Sequence, residues 1–187
     1  MKSIINAILS SILVLSVYFG VLTYTDIPDR IILNGHITYI EGETYDDVWE
    51  AYDELPPKVK DMILDGYTIY IVDIIGNDES IGGRVTYAPK ILEVKYNTHD
   101  AKYIMFHECG HILDDEVCDF GLISSSDEFK EIYEKEKHTV IFKYNYDYAT
   151  STPAEYFASC FAEYMTNPER LKRTAPETYY FIENRLK

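Results

Sequence analysis

Residues 100–115 read DAKYIMFHECGHILDD, and inside them His107-Glu108-Cys109-Gly110-His111 places two histidines four positions apart with an acid beside the first. We expect a helix over residues 100–116. Residues four apart lie one turn apart on one helix face, so both imidazoles can point at a single metal ion. Glu108, three before His111, sits next to them without being needed as a ligand. Cys109, roughly 200° around the helix from His107, turns toward the opposite face and reads as a core residue. This is the H-E-x-x-H arrangement in which a metal lowers the pKa of its water and polarises a scissile carbonyl while the glutamate acts as general base, the chemistry of zinc peptidases.

A catalytic zinc needs a third protein ligand and an open position. The best downstream candidate is Glu155, in Thr152-Pro153-Ala154-Glu155-Tyr156-Phe157. The same residues have a second reading, because Thr152-x-x-Glu155 with Pro153 at the first helical position is a capping box. Both readings stand for Glu155 at this point.

Around this core the pattern is α+β, a small mixed sheet with a hairpin followed by a helical part that carries the H-E-x-x-H helix and the helix of Glu155. Asn34-Gly35 between two β-branched runs predicts a hairpin over residues 30–40. Thr44 with Asp46 and Asp47 predicts a helix start, Pro56-Pro57 a break, and residues 58–64 a second helix ending at Gly66. Strands are expected over residues 67–75, 82–87 and 91–96. Further helices are expected over residues 127–142 behind a Ser125-x-x-Glu128 box, over 153–165, and from Pro176 onward.

The chain has 187 residues, with 17 Lys+Arg against 32 Asp+Glu and a formal charge of −15. That balance excludes a nucleic-acid partner, which requires a basic face. Cys109, Cys118 and Cys160 are too few and too odd in number for a disulfide framework. Residues 4–23 are apolar, with Lys2 before them and Asp26 and Asp29 after. We read residues 1–25 as a signal peptide or N-terminal membrane anchor and residues 26–187 as one domain outside the cytoplasm, secreted or held at the outer face of the membrane by residues 4–23. A monomer is expected.

From His107 to the C-terminus the chain resembles the catalytic domain of anthrax lethal factor and the related Pro-Pro endopeptidases. The residues that carry the resemblance are His107-Glu108-Cys109-Gly110-His111 with Asp114-Asp115, Tyr148 seven positions before Glu155, Ala154-Glu155-Tyr156-Phe157-Ala158 with Phe161, then Glu169-Arg170-Leu171-Lys172 and Ala175-Pro176-Glu177-Thr178 leading to Phe181-Ile182. The resemblance implies that His107, His111 and Glu155 bind one Zn2+ per chain, that Glu108 is the catalytic base, and that Tyr148 faces it to stabilise the oxyanion or protonate the leaving amine. It implies an extracellular zinc metalloendopeptidase acting on an extended protein or peptide substrate, with residues 83–96 as the wall of the cleft. Two positions depart from the family pattern. Ala154 precedes the ligand glutamate where Pro-Pro endopeptidases carry an acid, and Ser159 stands where an acid would hold a ligand histidine, so that support is expected from elsewhere. The rival reading is a catalytically silent peptide- or surface-binding module on the same fold, which would have no use for Glu108.

Overall fold

The β-branched runs of the first half pair into one sheet. The computed structural model of the chain describes residues 31–34, 43–76, 78–96, 98–115 and 121–187. Strands β1 (Ile31–Asn34), β2 (Thr68–Val72), β3 (Gly83–Tyr87) and β4 (Lys90–Lys95) lie in the order β1-β2-β4-β3, parallel except for β3, which runs antiparallel to β4 and forms an edge. Register sets Ile69 beside Leu92 and Ile71 beside Val94, so the buried residues of the two central strands share one face.

That face is covered by helices. α1 (Glu43–Glu54) supplies Val48 and Ala51 and packs on α3 (Ala101–Asp114); α2 (Pro57–Leu64) starts with proline at its first position and supplies Val59 and Ile63. After a short 3-10 turn at Ile123–Ser125 come α4 (Asp127–Glu136), α5 (Tyr146–Ala149), α6 (Pro153–Thr166), α7 (Pro168–Thr174) and α8 (Pro176–Arg185). Phe129 of α4 meets Phe157 of α6 at 5.2 Å and Phe181 of α8 at 5.0 Å between ring centroids, and these rings join the apolar face of the sheet in a single core. The architecture is α+β, with a small mixed sheet and mostly helical remainder.

Several local expectations are corrected. β1 pairs in parallel with β2, a long-range partner that a turn signal does not encode; the second arm of the expected hairpin lies outside the described residues, as do residues 4–23, His36 and Cys118. Thr44 is buried one residue inside α1 and does not precede it. The cap of α4 is Ser126, which accepts from the Phe129 N–H at 3.2 Å, and Ser125 instead donates to Leu122 O at 2.6 Å. α4 also stops at Glu136, well short of Phe142. There the Thr139 hydroxyl bonds Glu136 O at 3.0 Å and Thr174 O at 2.8 Å, ending the helix against α7. The Glu136 carboxylate turns inward and accepts from the N–H groups of Glu177 and Thr178, both at 2.9 Å, so the first turn of α8 is capped from another helix. Among the described residues, no helix is long and apolar enough to cross a membrane.

Candidate active site

The site is built by the crossing of α3 and α6. Asp100, at a left-handed φ of 58°, accepts from the Tyr103 N–H at 3.2 Å and starts α3. Thr152 accepts from the Glu155 N–H at 3.1 Å and starts α6, with Pro153 next. The two helices meet at Gly110. A β-carbon there would lie 2.7 Å from Ala158 Cα, 3.0 Å from Ala158 O and 3.1 Å from Phe161 Cβ, so glycine is what lets the backbones touch. A glycine inside a helix costs about 1 kcal/mol against alanine. That cost, in the middle of the histidine motif, is a signal of close approach that the sequence reading did not use.

The crossing brings His107, His111 and Glu155 together. Glu155 Oε2 stands 3.3 Å from His107 Nε2 and 3.5 Å from His111 Nε2, and one ligand atom from each of the three falls within 4.8 Å of the others. Glu155 Oε2 is closed off from solvent and accepts no hydrogen bond. A buried carboxylate oxygen normally has a partner. Here it faces two imidazole nitrogens without the alignment of a hydrogen bond, an arrangement suited to three groups that share one cation. Separations of 3.3–3.5 Å match the edges of a tetrahedron with bonds of about 2.0–2.1 Å, the zinc range for N and O donors. Two imidazoles and one carboxylate are a donor set that zinc takes, so the residues present fit the ion.

The charges follow from this crowding. Burial by itself raises the Glu155 carboxyl, but the two imidazoles outweigh it and hold the group far below the usual carboxylate range. His111 is shifted the other way: burial disfavours its charge, while Glu155 and Glu108 favour it and win. Of the capping box only the Thr152 half is made, with Thr152 Oγ1 accepting from the Glu155 N–H, while the Glu155 carboxylate turns to the two histidines.

Ser159 corrects the expected lack of support on α6. Its Oγ lies 3.3 Å from His107 Nδ1. With that nitrogen engaged by the hydroxyl, His107 Nε2 is the one aimed at Glu155. On α3, Asp114 is fully buried and accepts from Ser124 N at 2.6 Å and Ser124 Oγ at 2.7 Å, fastening the next segment, while Asp115 follows as the C-cap of α3. Cys109 and Cys160 are free and fully buried in the core, as expected of Cys109.

Glu108 and Tyr148 line a cleft of about 590 Å³ that runs past Gly82, Gly83, His99 and Tyr144. Glu108 is 5% exposed, and burial pushes its carboxyl up against the opposing pull of His107 and His111. Tyr148 is 51% exposed, with its ring 6.1 Å from the His107 ring. Burial of its hydroxyl, then the Glu155 charge, keeps the phenol protonated well beyond its ordinary range. Tyr148 is carried by α5, whose cap is Asn145.

Glu163, eight residues after Glu155, holds this segment in place. It is fully buried and accepts from Tyr103 Oη at 3.2 Å and from Lys143 N at 2.6 Å, and it also pairs with the Arg170 guanidinium. Lys143 pairs with Asp100, whose carboxylate takes Tyr144 Oη at 2.7 Å. Sequence reading missed Glu163, since nothing local marks a carboxylate that collects donors from three other elements.

The sequence profile described as anthrax toxin lethal factor, N- and C-terminal domain, matches residues 73–185, more than half of the chain. The chain belongs to this family. The lethal factor match takes in β3, β4 and every element from α3 to α8, and with them all five residues named for the site. In fold the chain is similar to the PRO-PRO endopeptidase PPEP-2 from Paenibacillus alvei, with a TM-score of 0.62 at 22% identity, covering 83% of this chain and 95% of that one. No functionally curated protein matches the sequence.

Proposed function

We propose that the chain is an extracellular zinc metalloendopeptidase. The observation that carries this reading is the solvent-free, unbonded Glu155 Oε2 facing His107 Nε2 and His111 Nε2 beside the desolvated Glu108. Membership in the lethal factor family and likeness in fold to an endopeptidase support it. His107, His111 and Glu155 would hold one Zn2+, which when bound supplies Lewis acidity to a water and to the scissile carbonyl.

The chain's own groups then have distinct tasks. Glu108 takes a proton from the attacking water at its carboxylate and passes it to the leaving amine; a carboxyl raised by burial suits both transfers near neutral pH. Tyr148, kept protonated, donates to the developing oxyanion from across the cleft. The substrate lies extended on β3. Lys95 N–H bonds Gly82 O at 2.8 Å, and Gly83 pairs with Val94, so the even positions of β3 bond β4 while Gly83, Val85 and Tyr87 turn their N–H and C=O to the open edge. Among the described residues that line the cleft, Glu108 is the one carboxylate and there is no Lys or Arg. The acidic surplus of the chain would favour basic substrates by long-range steering. With residues 4–23 as export signal or anchor, the domain works outside the cytoplasm.

The test is a diverse peptide library incubated with the zinc-loaded chain, with chelator, and with the Glu108→Ala variant. Cleavage that needs metal and falls at least about 100-fold in the variant, with one zinc retained, is expected. Zinc-loaded wild type that cuts no peptide would return the fold to a binding module.

A further inference from the structure

Glu108 is buried, yet among the described residues its carboxylate has no hydrogen-bonding partner in the protein. Its oxygens open on the cleft and no protein donor orients them, so the direction of the side chain is set by what it packs against. The packing partner is the backbone of β3. A β-carbon built on Gly83 would lie 2.5 Å from Glu108 Oε1 and 2.8 Å from Glu108 Cγ, with Ile104 Cγ2 at 2.7 Å. The backbone of Gly83 is not in the left-handed region, so the glycine answers a need for space and not for conformation. Its neighbour differs. A β-carbon on Gly82 would meet Ile104 Cδ1 at 2.8 Å and Thr98 Oγ1 at 3.3 Å, and no atom of Glu108 lies nearer to it than 3.7 Å.

We infer that Gly83 is a positioning residue for Glu108: the strand, bare of a side chain at this one point, gives the carboxylate the seat that directs it toward the His107, His111 and Glu155 cluster. This rests on the reading of Glu108 as the general base. It explains why the base needs no hydrogen-bonding residue to orient it, and why its free oxygens remain available to water and to the leaving amine. The same residue turns its N–H and C=O to the open edge where the substrate would pair, so seat and substrate track are one piece of backbone. The bland alternative is that Gly82 and Gly83 together merely let the strand rest on Ile104.

The two glycines separate these accounts. In the full zinc-loaded chain, Gly83→Ala should keep one zinc and a near wild-type KM while kcat falls about 100-fold, the cost of roughly 1 Å of misplacement. Gly82→Ala, which presses only on the movable end of Ile104 and on Thr98, should lose less than tenfold. On a Glu108→Ala background, Gly83→Ala should add no further loss. A crystal structure of Gly83→Ala should show the Glu108 carboxylate moved from its seat. Equal losses for the two glycines, a change confined to KM, or an unmoved Glu108 would each overturn the inference. If Gly83→Ala does not fold, the Gly83→Ala/Ile104→Ala double variant removes the contact with Ile104 and leaves the contact with Glu108 to be read. Should the wild type cleave nothing, the peptidase reading fails on its own, and the position of Glu108 in the variant crystal still decides whether Gly83 seats it.

Discussion

Glu155 and Glu163 stand about two turns apart on α6, each closing one end of the crossing with α3, and their surroundings are opposite. Glu163 is fully buried and saturated, with Tyr103, Lys143 and Arg170 all donating to it. Glu155 is nearer the surface, yet its inner oxygen has no hydrogen-bond donor and two imidazoles in front of it. One carboxylate has been paired by the fold and the other has been left for something the fold does not contain. Burial alone does not tell them apart. The presence or absence of donors does, and it is the ground on which Glu163 is read as architecture and Glu155 is proposed as a metal ligand.

The sharpest way to break this comparison is Glu163→Ala. Removing one partner of a buried pair whose Arg170 is partly exposed should cost about 3 kcal/mol in chemical denaturation, with zinc stoichiometry unchanged in the part that stays folded. Loss of zinc without loss of stability would show that the two ends had been assigned the wrong way round. Tyr148→Phe probes the other end. It should leave the unfolding free energy within about 0.5 kcal/mol, as expected for an exposed side chain, and lower kcat on a cleaved peptide by about 100-fold with KM little changed. A stability loss with no kinetic effect would make Tyr148 a packing residue.

A smaller effect lies in the acid limb of stability. Burial alone would raise the Asp100 carboxyl, but Lys143, Tyr144 and the Tyr103 N–H outweigh it and hold it below its ordinary value of 3.8. A depressed carboxyl adds stability that is complete above the unfolded value and is lost as pH falls through the folded one. Asp100→Asn keeps a residue that tolerates left-handed backbone and removes the charge. Its deficit should be up to about 1 kcal/mol at neutral pH, after screening, and should shrink below about pH 4. A deficit that does not change with pH would mean that hydrogen-bond geometry, and not the charge of the ion pair, is what Asp100 contributes.

Which parts of this were legible beforehand depends on how local the signal is. The spacing of His107 and His111, and the Thr152-Pro153 start that lets Glu155 be read both ways, are short-range patterns, and each has its counterpart in the structure. So are the helix starts at Asp100 and Pro176. The contacts that complete the site are long-range. Ser159 beside His107, Glu163 collecting donors, and Glu136 capping α8 each join residues 41 or more positions apart or bind several elements at once, and no window of sequence contains both partners. Ser159 shows the cost of reasoning by pattern alone, since a hydroxyl lies beside His107 at a place where many zinc peptidases carry an acid. Gly110 and Gly83 fall between these cases: the glycines are visible, but the atoms they make room for are not.

The central claim, that the Glu155 end of α6 is a metal centre and not only a helix cap, is tested most directly by the zinc content of three proteins after exhaustive dialysis against trace zinc. Wild type and Thr152→Ala should each retain one zinc per chain, the second with about 1 kcal/mol less stability from its lost cap, and Glu155→Ala should retain essentially none. Glu155→Ala that keeps its zinc, with a stability loss no different from that of Thr152→Ala, would contradict the account.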